Sequence, residues 1–268
     1  MNSLIEIMDT TKICRNFPIA PQQEIARENF LVTIDEQFQK HSMVIVEGQE
    51  GIGKTTLLAQ FARQFPDNCL SVFITPATQS SYDSDAIRTN LLCQAWWILN
   101  QKELEVEDLE NLEIESQWAF KQSGLQRKSR ITRRRYYFVV DGLGDIPDIH
   151  SVYRDLILEL LPLGHGDEFR FLISGSSERF PKQILDQVSN KCFTMSPFTL
   201  DEAHKNLKDL GFSREDITEL YKTFKLPGQL ASIRRHLQSG AAIKDFLDNI
   251  PLRASNLLEL EWKPLNLS

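Results

Sequence analysis

One short stretch limits what this chain can fold into more than any other: Gly48-Gln49-Glu50-Gly51-Ile52-Gly53-Lys54-Thr55. Its glycines let the backbone turn tightly and bring main-chain N–H groups together without Cβ clashes. Before it, Met43-Val44-Ile45-Val46-Glu47 is an apolar, β-branched run that predicts a buried strand. After it, residues 54–65 predict a helix stopped by Pro66. Strand, glycine-rich turn and helix, in that order, are the context in which G-x-x-x-x-G-K-[ST] holds phosphates at a helix N-terminus. The pattern assigns the loop N–H groups of Gly48, Gln49, Glu50, Gly51, Ile52 and Gly53 to the anion and Lys54 to the β- and γ-phosphates. It assigns the Thr55 hydroxyl to Mg²⁺ and puts Thr56 near the α-phosphate. The expected ligand is a nucleoside triphosphate.

The alternation continues along the chain. Helices are expected over 22–40, 84–104, 152–161 and 181–188, and strands over 70–75, 136–140, 169–174 and 192–195. Strands alternating with helices imply a parallel sheet covered on both faces. Beyond Pro197 only helical patterns remain, over 199–210, 213–224, 229–238 and 241–249, with Thr199 or Asp201 as a first cap and Ser213 with Asp216 as a capping box. The expected organisation is an extended segment over 1–21, a phosphate-binding domain over 22–197, a helical lid over 198–251 and a tail over 252–268. Within it, 101–118 is acidic and 127–135 basic, flanking Gln122-Ser123-Gly124, which reads as a turn. Residues 101–135 therefore read as a solvated charged insertion whose opposite charges partly pair. The sharper alternative gives Arg133, Arg134 and Arg135 a phosphate backbone or an acidic partner.

A Mg²⁺-bound nucleotide needs an acid at the end of another strand. Asp141, closing Tyr136-Tyr137-Phe138-Val139-Val140, supplies it, and Asp145 is placed to orient or deprotonate an attacking water. The strand ending Ile173-Ser174-Gly175-Ser176 offers Ser174 first, and Ser176 second, as a γ-phosphate sensor, with Arg179 as a nearby cation.

Composition removes several classes. A net charge of −7 argues against a general nucleic-acid coat protein. No apolar run reaches membrane-span length, and Glu6 and Asp9 occupy the place of a signal peptide's apolar core. Cys14, Cys69, Cys93 and Cys192 form no CxxC and read as buried thiols, and no metal-ligand spacing is present. A cytoplasmic protein is expected.

With these residues assembled, the chain resembles a STAND-class NTPase, the branch of AAA+-related P-loop ATPases that includes NACHT and NB-ARC switches. The resemblance covers residues 15–262. It rests on GQEGIGKTT at 48–56, YYFVVDGLGD at 136–145, FRFLISGSS at 169–177, and KLPGQL at 225–230 after PFTLDEAHKNL. It implies a five-stranded parallel sheet in the order 5-1-4-3-2 followed by a small all-helical lid. Pro227 and the segment around Phe17 would lie near the base of ATP or ADP. Residues 252–264 resemble the first helix of a winged-helix domain. Three departures point to slow or absent hydrolysis: Gly144 replaces the family's second acid, Gly142 the glutamate of AAA+ motors, and Ser176 the sensor arginine. The leading expectation is a nucleotide-dependent switch working with a protein partner or as a homo-oligomer, in signalling or defence. The alternatives are a DNA- or protein-remodelling ATPase, a nucleotide-bound scaffold and, least favoured, a small-molecule kinase. The absence of an NKxD guanine reader favours adenine.

Overall fold

The computed structural model describes residues 9–21, 23–75, 78–105, 109, 112–164 and 166–238. In chain order the elements are α1 (Thr10–Ile13), α2 (Glu28–Phe38), β1 (Met43–Glu47), α3 (Lys54–Gln64), β2 (Cys69–Phe73), α4 (Ser84–Asn100) and α5 (Ile114–Thr132). There follow β3 (Tyr136–Asp141), α6 (Ser151–Glu159), β4 (Phe169–Ser174), α7 (Lys182–Leu185), β5 (Asn190–Thr194), α8 (Leu200–Leu207), α9 (Arg214–Thr223) and α10 (Pro227–Gln238). The expected helix over 241–249 and the winged-helix resemblance at 252–264 lie outside the described residues.

Contacts divide the described chain into two compact units. One comprises 9–19, 27–47 and 54–194; the other comprises 20–26, 48–53 and 195–238. The first unit holds five parallel strands in the order β2-β3-β4-β1-β5, the expected order read from its other edge. β1, β2 and β4 are apolar runs because helices cover the sheet. Phe138 stacks with Phe171 at 5.6 Å and meets Phe169 edge-on, so β3 and β4 are joined by rings as well as by backbone bonds.

The segment expected to be a turn at 122–124 is helical. α5 runs through it and buries Trp118, Lys121, Leu125 and Ser129. Gly124 is a close approach: a Cβ there would stand 3.0 Å from Leu99 Cδ1 of α4. Trp118 Nε1 donates to Leu160 O at 3.0 Å, and Lys121 Nζ lies 3.8 Å from the Trp96 ring centre. One face of α5 is therefore core. The described ion pair of the basic run is Arg130 with Glu168, outside the acidic stretch.

The helix expected over 22–40 begins only at Glu28. Before it, Gln23 O accepts from Asn206 Nδ2 at 3.1 Å, and Ile25 packs in the core of the second unit. Cys14 and Cys69 are buried as expected, whereas Cys93 and Cys192 are half-buried; all four are free thiols.

The second unit packs α8, α9 and α10 around Leu207, Ile217, Leu220, Phe224, Leu230 and Ile233. Thr199 with Glu202 and Ser213 with Asp216 make reciprocal capping boxes that start α8 and α9. Arg234, buried on α10, holds both carboxylate oxygens of Asp209 at 2.8 Å and donates to Asn206 O.

Candidate nucleotide site

The site is built from chain segments that leave strands at their carboxyl ends, where ligands of open parallel sheets bind. From β1 the chain enters the glycine loop. Gly48, Gly51 and Gly53 have φ of +151°, +76° and +93°, values that favour glycine. A Cβ on Gly48 would also stand 3.0 Å from Ile52 Cγ2, and Ile52 is itself buried. Ile52 N–H donates to Gln49 O at 3.3 Å, and Glu50 is exposed. Pro227-Gly228 rests on this loop: Gly228 N–H donates to Gly51 O at 2.8 Å, and a Cβ on Gly53 would lie 3.7 Å from Pro227 Cγ.

Lys54, Thr55 and Thr56 form the first turn of α3. In the first unit the Thr55 hydroxyl donates to Asp141 Oδ2 at 2.6 Å. Ser174 Oγ donates to Asp141 Oδ1 at 2.6 Å and accepts Gly142 N–H at 3.0 Å. Both oxygens of a buried carboxylate are thus held by hydroxyls from β4 and α3. Burial pushes the Asp141 carboxyl up from its ordinary value of 3.8; the bonds from Ser174 and Thr55 oppose this, Asp145 adds to it and Lys54 counters it, with the net shift upward. These oxygen donors fit a hard divalent ion that keeps water and phosphate in its remaining positions. No cluster of three or more His, Cys, Asp or Glu suited to a metal occurs among the described residues.

Asp145 is exposed, and its N–H bonds to Gly142 O at 3.0 Å. Ser176 is exposed and caps a short turn containing Arg179, whose guanidinium donates to Gly144 O. Phe17 meets Phe73 edge-on at 5.1 Å, with Arg63 5.9 Å from its ring centre. Arg133, Arg134 and Arg135 precede β3, at the opposite end of the strand from Asp141, about 20 Å away at a strand's rise per residue. Arg135 Nη1 lies 3.4 Å from Phe38 O, while Arg133 and Arg134 are exposed.

Glu47 and Arg154 were not singled out in the sequence, and Gly142 entered only as a departure from the family pattern. Glu47 accepts Ser177 N–H at 2.8 Å, joining the end of β1 to the loop after β4. Gly142, at φ +77°, has no room for a side chain: a Cβ would stand 2.5 Å from Ile74 O. Arg154 is buried on α6 and donates to three backbone carbonyls. The signal for Arg154 was a charge on the apolar stripe that also carries Ile157 and Leu158.

A glycine loop opening a helix, a hydroxyl–carboxylate pair at its first turn, and a five-stranded parallel sheet in this order define a nucleotide-binding P-loop NTPase. The NACHT domain model matches residues 42–213, more than half of the chain, and the chain belongs to that family, within the STAND class of P-loop NTPases. Among solved structures, the Walker-type ATPase of Pyrococcus abyssi is similar at 13% identity and a TM-score of 0.58, over 93% of this chain and 77% of that one. The ORC2 protein of Aeropyrum pernix, solved as ADPNP–ADP complexes, is similar at 11% identity and a TM-score of 0.53, over 97% and 74%. A STAND protein with a tetratricopeptide repeat sensor from Pyrococcus horikoshii matches at 16% identity and a TM-score of 0.48, over 87% of this chain and 33% of its own length. These likenesses concern the fold. No curated protein matches the chain. No described helix is long and apolar enough to cross a membrane.

Proposed function

We propose that the chain binds ATP and ADP with Mg²⁺ and acts as a slowly hydrolysing switch for a protein partner or for its own assembly. The observation that carries this reading is the Thr55–Asp141–Ser174 relay beside the helix that the glycine loop opens. Residues 48–53 would supply N–H groups to the phosphates, and Lys54 their countercharge. Thr55 and Asp141 would hold Mg²⁺, which supplies charge neutralisation between the terminal phosphates. Ser174, bonded to the same carboxylate, would respond to whatever the metal and terminal phosphate do to it. The terminal phosphate then makes contacts in the ATP state that ADP lacks, and such differential contact is what shifts a two-state equilibrium. Pro227, against the glycine loop, and Phe17, against Phe73, are the proposed neighbours of the base.

Slow turnover follows from the residue after Asp141. With Ile74 O pressed against it and φ at +77°, position 142 excludes the glutamate that would activate water there. Asp145, exposed three residues after Gly142, is the acid proposed to act on the attacking water.

The experiment is mass spectrometry of nucleotide released from the purified, denatured protein, with a phosphate-release assay beside it. Bound ADP or ATP with negligible turnover is the expected outcome, and Lys54→Ala should come out empty. Equal nucleotide content in the Lys54 variant would sink the site assignment. Remodelling of nucleic acid is the second reading, favoured by exposed Arg133 and Arg134. DNA-stimulated phosphate release, lost in the Arg133→Ala/Arg134→Ala variant, would establish it instead.

A further inference from the structure

The loops after β3 and β4 are fastened together at several points. Gly144 and Gly175 meet backbone to backbone: a Cβ on Gly144 would stand 3.0 Å from Gly175 Cα, and one on Gly175 3.4 Å from Gly144 N and Cα. Two arginines bridge the two loops beside this apposition. Arg154, 6% exposed, sends Nε to Leu143 O at 3.3 Å and Nη2 to Ile146 O at 3.0 Å, both on the loop after β3. Its Nη1 reaches Arg179 O at 3.1 Å, on the loop after β4. Arg179 returns the link by donating to Gly144 O. Below them, Ser174 bonds both Asp141 and Gly142 N–H, and Ser177 N–H bonds Glu47.

Burying a guanidinium is costly unless its N–H groups are satisfied. The carboxylate partner of Arg154, Asp148, is 3.5 Å away with 84% of its side chain exposed, so backbone carbonyls carry most of the compensation. A leucine would fill the same helix face without that cost. What the planar fork supplies is reach in several fixed directions at once, which a single ammonium does not.

We propose that Arg154 and Arg179 are positioning residues that make the two loops one body, so that a terminal phosphate held at one loop is registered by the other. This rests on the nucleotide reading given above and goes beyond it by naming the coupling element. ADPNP and ADP differ at the terminal phosphate. A variant that merely loosens the protein weakens both equally, whereas one that uncouples the loops changes the ratio of their affinities.

The test is isothermal titration of the full chain with Mg·ADPNP and with Mg·ADP. The parent is compared with Arg154→Gln, Arg154→Lys, Arg179→Ala and Arg179→Lys. The affinity ratio is expected to shift at least about fivefold in Arg154→Gln and Arg179→Ala, the lower range of measured site-to-site couplings. Arg179→Lys should recover much of the ratio, since one donor can serve one carbonyl, and Arg154→Lys should not. If the Arg154 variants fail to fold, exposed Arg179 decides the matter alone. A ratio in Arg179→Ala equal to the parent's overturns the proposal. A parent that binds neither nucleotide overturns the functional reading itself, and this proposal with it.

Discussion

Asp141 is where function and stability pull apart. Its carboxyl is buried and pushed above the ordinary value, chiefly by desolvation. For a group raised in this way, the stabilising contribution is fully present below the unfolded value of 3.8 and is lost as pH rises through the folded value. At neutral pH the folded protein therefore carries a penalty that an amide of the same shape lacks. Asp141→Asn should leave the nucleotide-free melting temperature at pH 7.5 equal to or above the parent's. It should also weaken Mg²⁺-dependent ATP binding by about tenfold or more, because a neutral amide is a poor ligand for a hard cation. Melting curves and titrations with and without EDTA measure both. A clearly lowered melting temperature would contradict the account of the buried charge. Asp141 and Thr55 were legible in the sequence because motif and strand pattern put each at a known place. Gly142 was legible as a departure, but its reason, Ile74 O at 2.5 Å from any Cβ, comes from a neighbouring strand's end and leaves no local trace.

At the level of elements, the β-strands and the starts of α8 and α9 could be read because apolar runs and capping boxes are local signals. The segment 122–124 could not. Gln-Ser-Gly between an acidic and a basic run has the composition of a turn, yet α5 passes through it, since Trp118, Lys121 and Leu125 bury one continuous face. Gly124 lies close to Leu99 of α4, and the packing of this face, a tertiary effect, overrides the local turn propensity. Glycine at 142 answers to the opposite demand, backbone conformation. Gly142→Ala would combine a positive φ with contact against a backbone oxygen that no rotamer change relieves. It should destabilise the protein by about 2–3 kcal/mol, within the range for strained backbone positions. Urea denaturation provides the number, and a change under about 0.5 kcal/mol, the usual size of a surface substitution, would show that the loop yields freely.

Across the whole molecule, the sheet order came to the sequence reading only through family resemblance, because strand order is fixed by pairings between distant segments that no periodicity encodes. The same is true of the glycine loop. Its residues 48–53 group with the C-terminal helices through Gly228 N–H on Gly51 O, a contact between segments far apart in the chain. A ligand held by this loop is thus linked to the stability of the fold by mass action. Any ligand bound by the native state alone stabilises it by RT ln(1 + [L]/Kd), about 2.7 kcal/mol at a hundred times Kd. For a chain of this size roughly 2–4 °C accompanies each kcal/mol, so saturating Mg·ADP should raise the melting temperature by about 5–10 °C. Lys54→Ala should lose the shift, since it removes the cation proposed to face the phosphates from the first turn of α3. Differential scanning fluorimetry with ADP, with GDP and with inorganic phosphate separates the cases. A shift with ADP and not with GDP fits an adenine-selective site. An equal shift with all three would mean that the glycine loop takes phosphate without regard to the base, and would remove Pro227 and Phe17 from the proposed site.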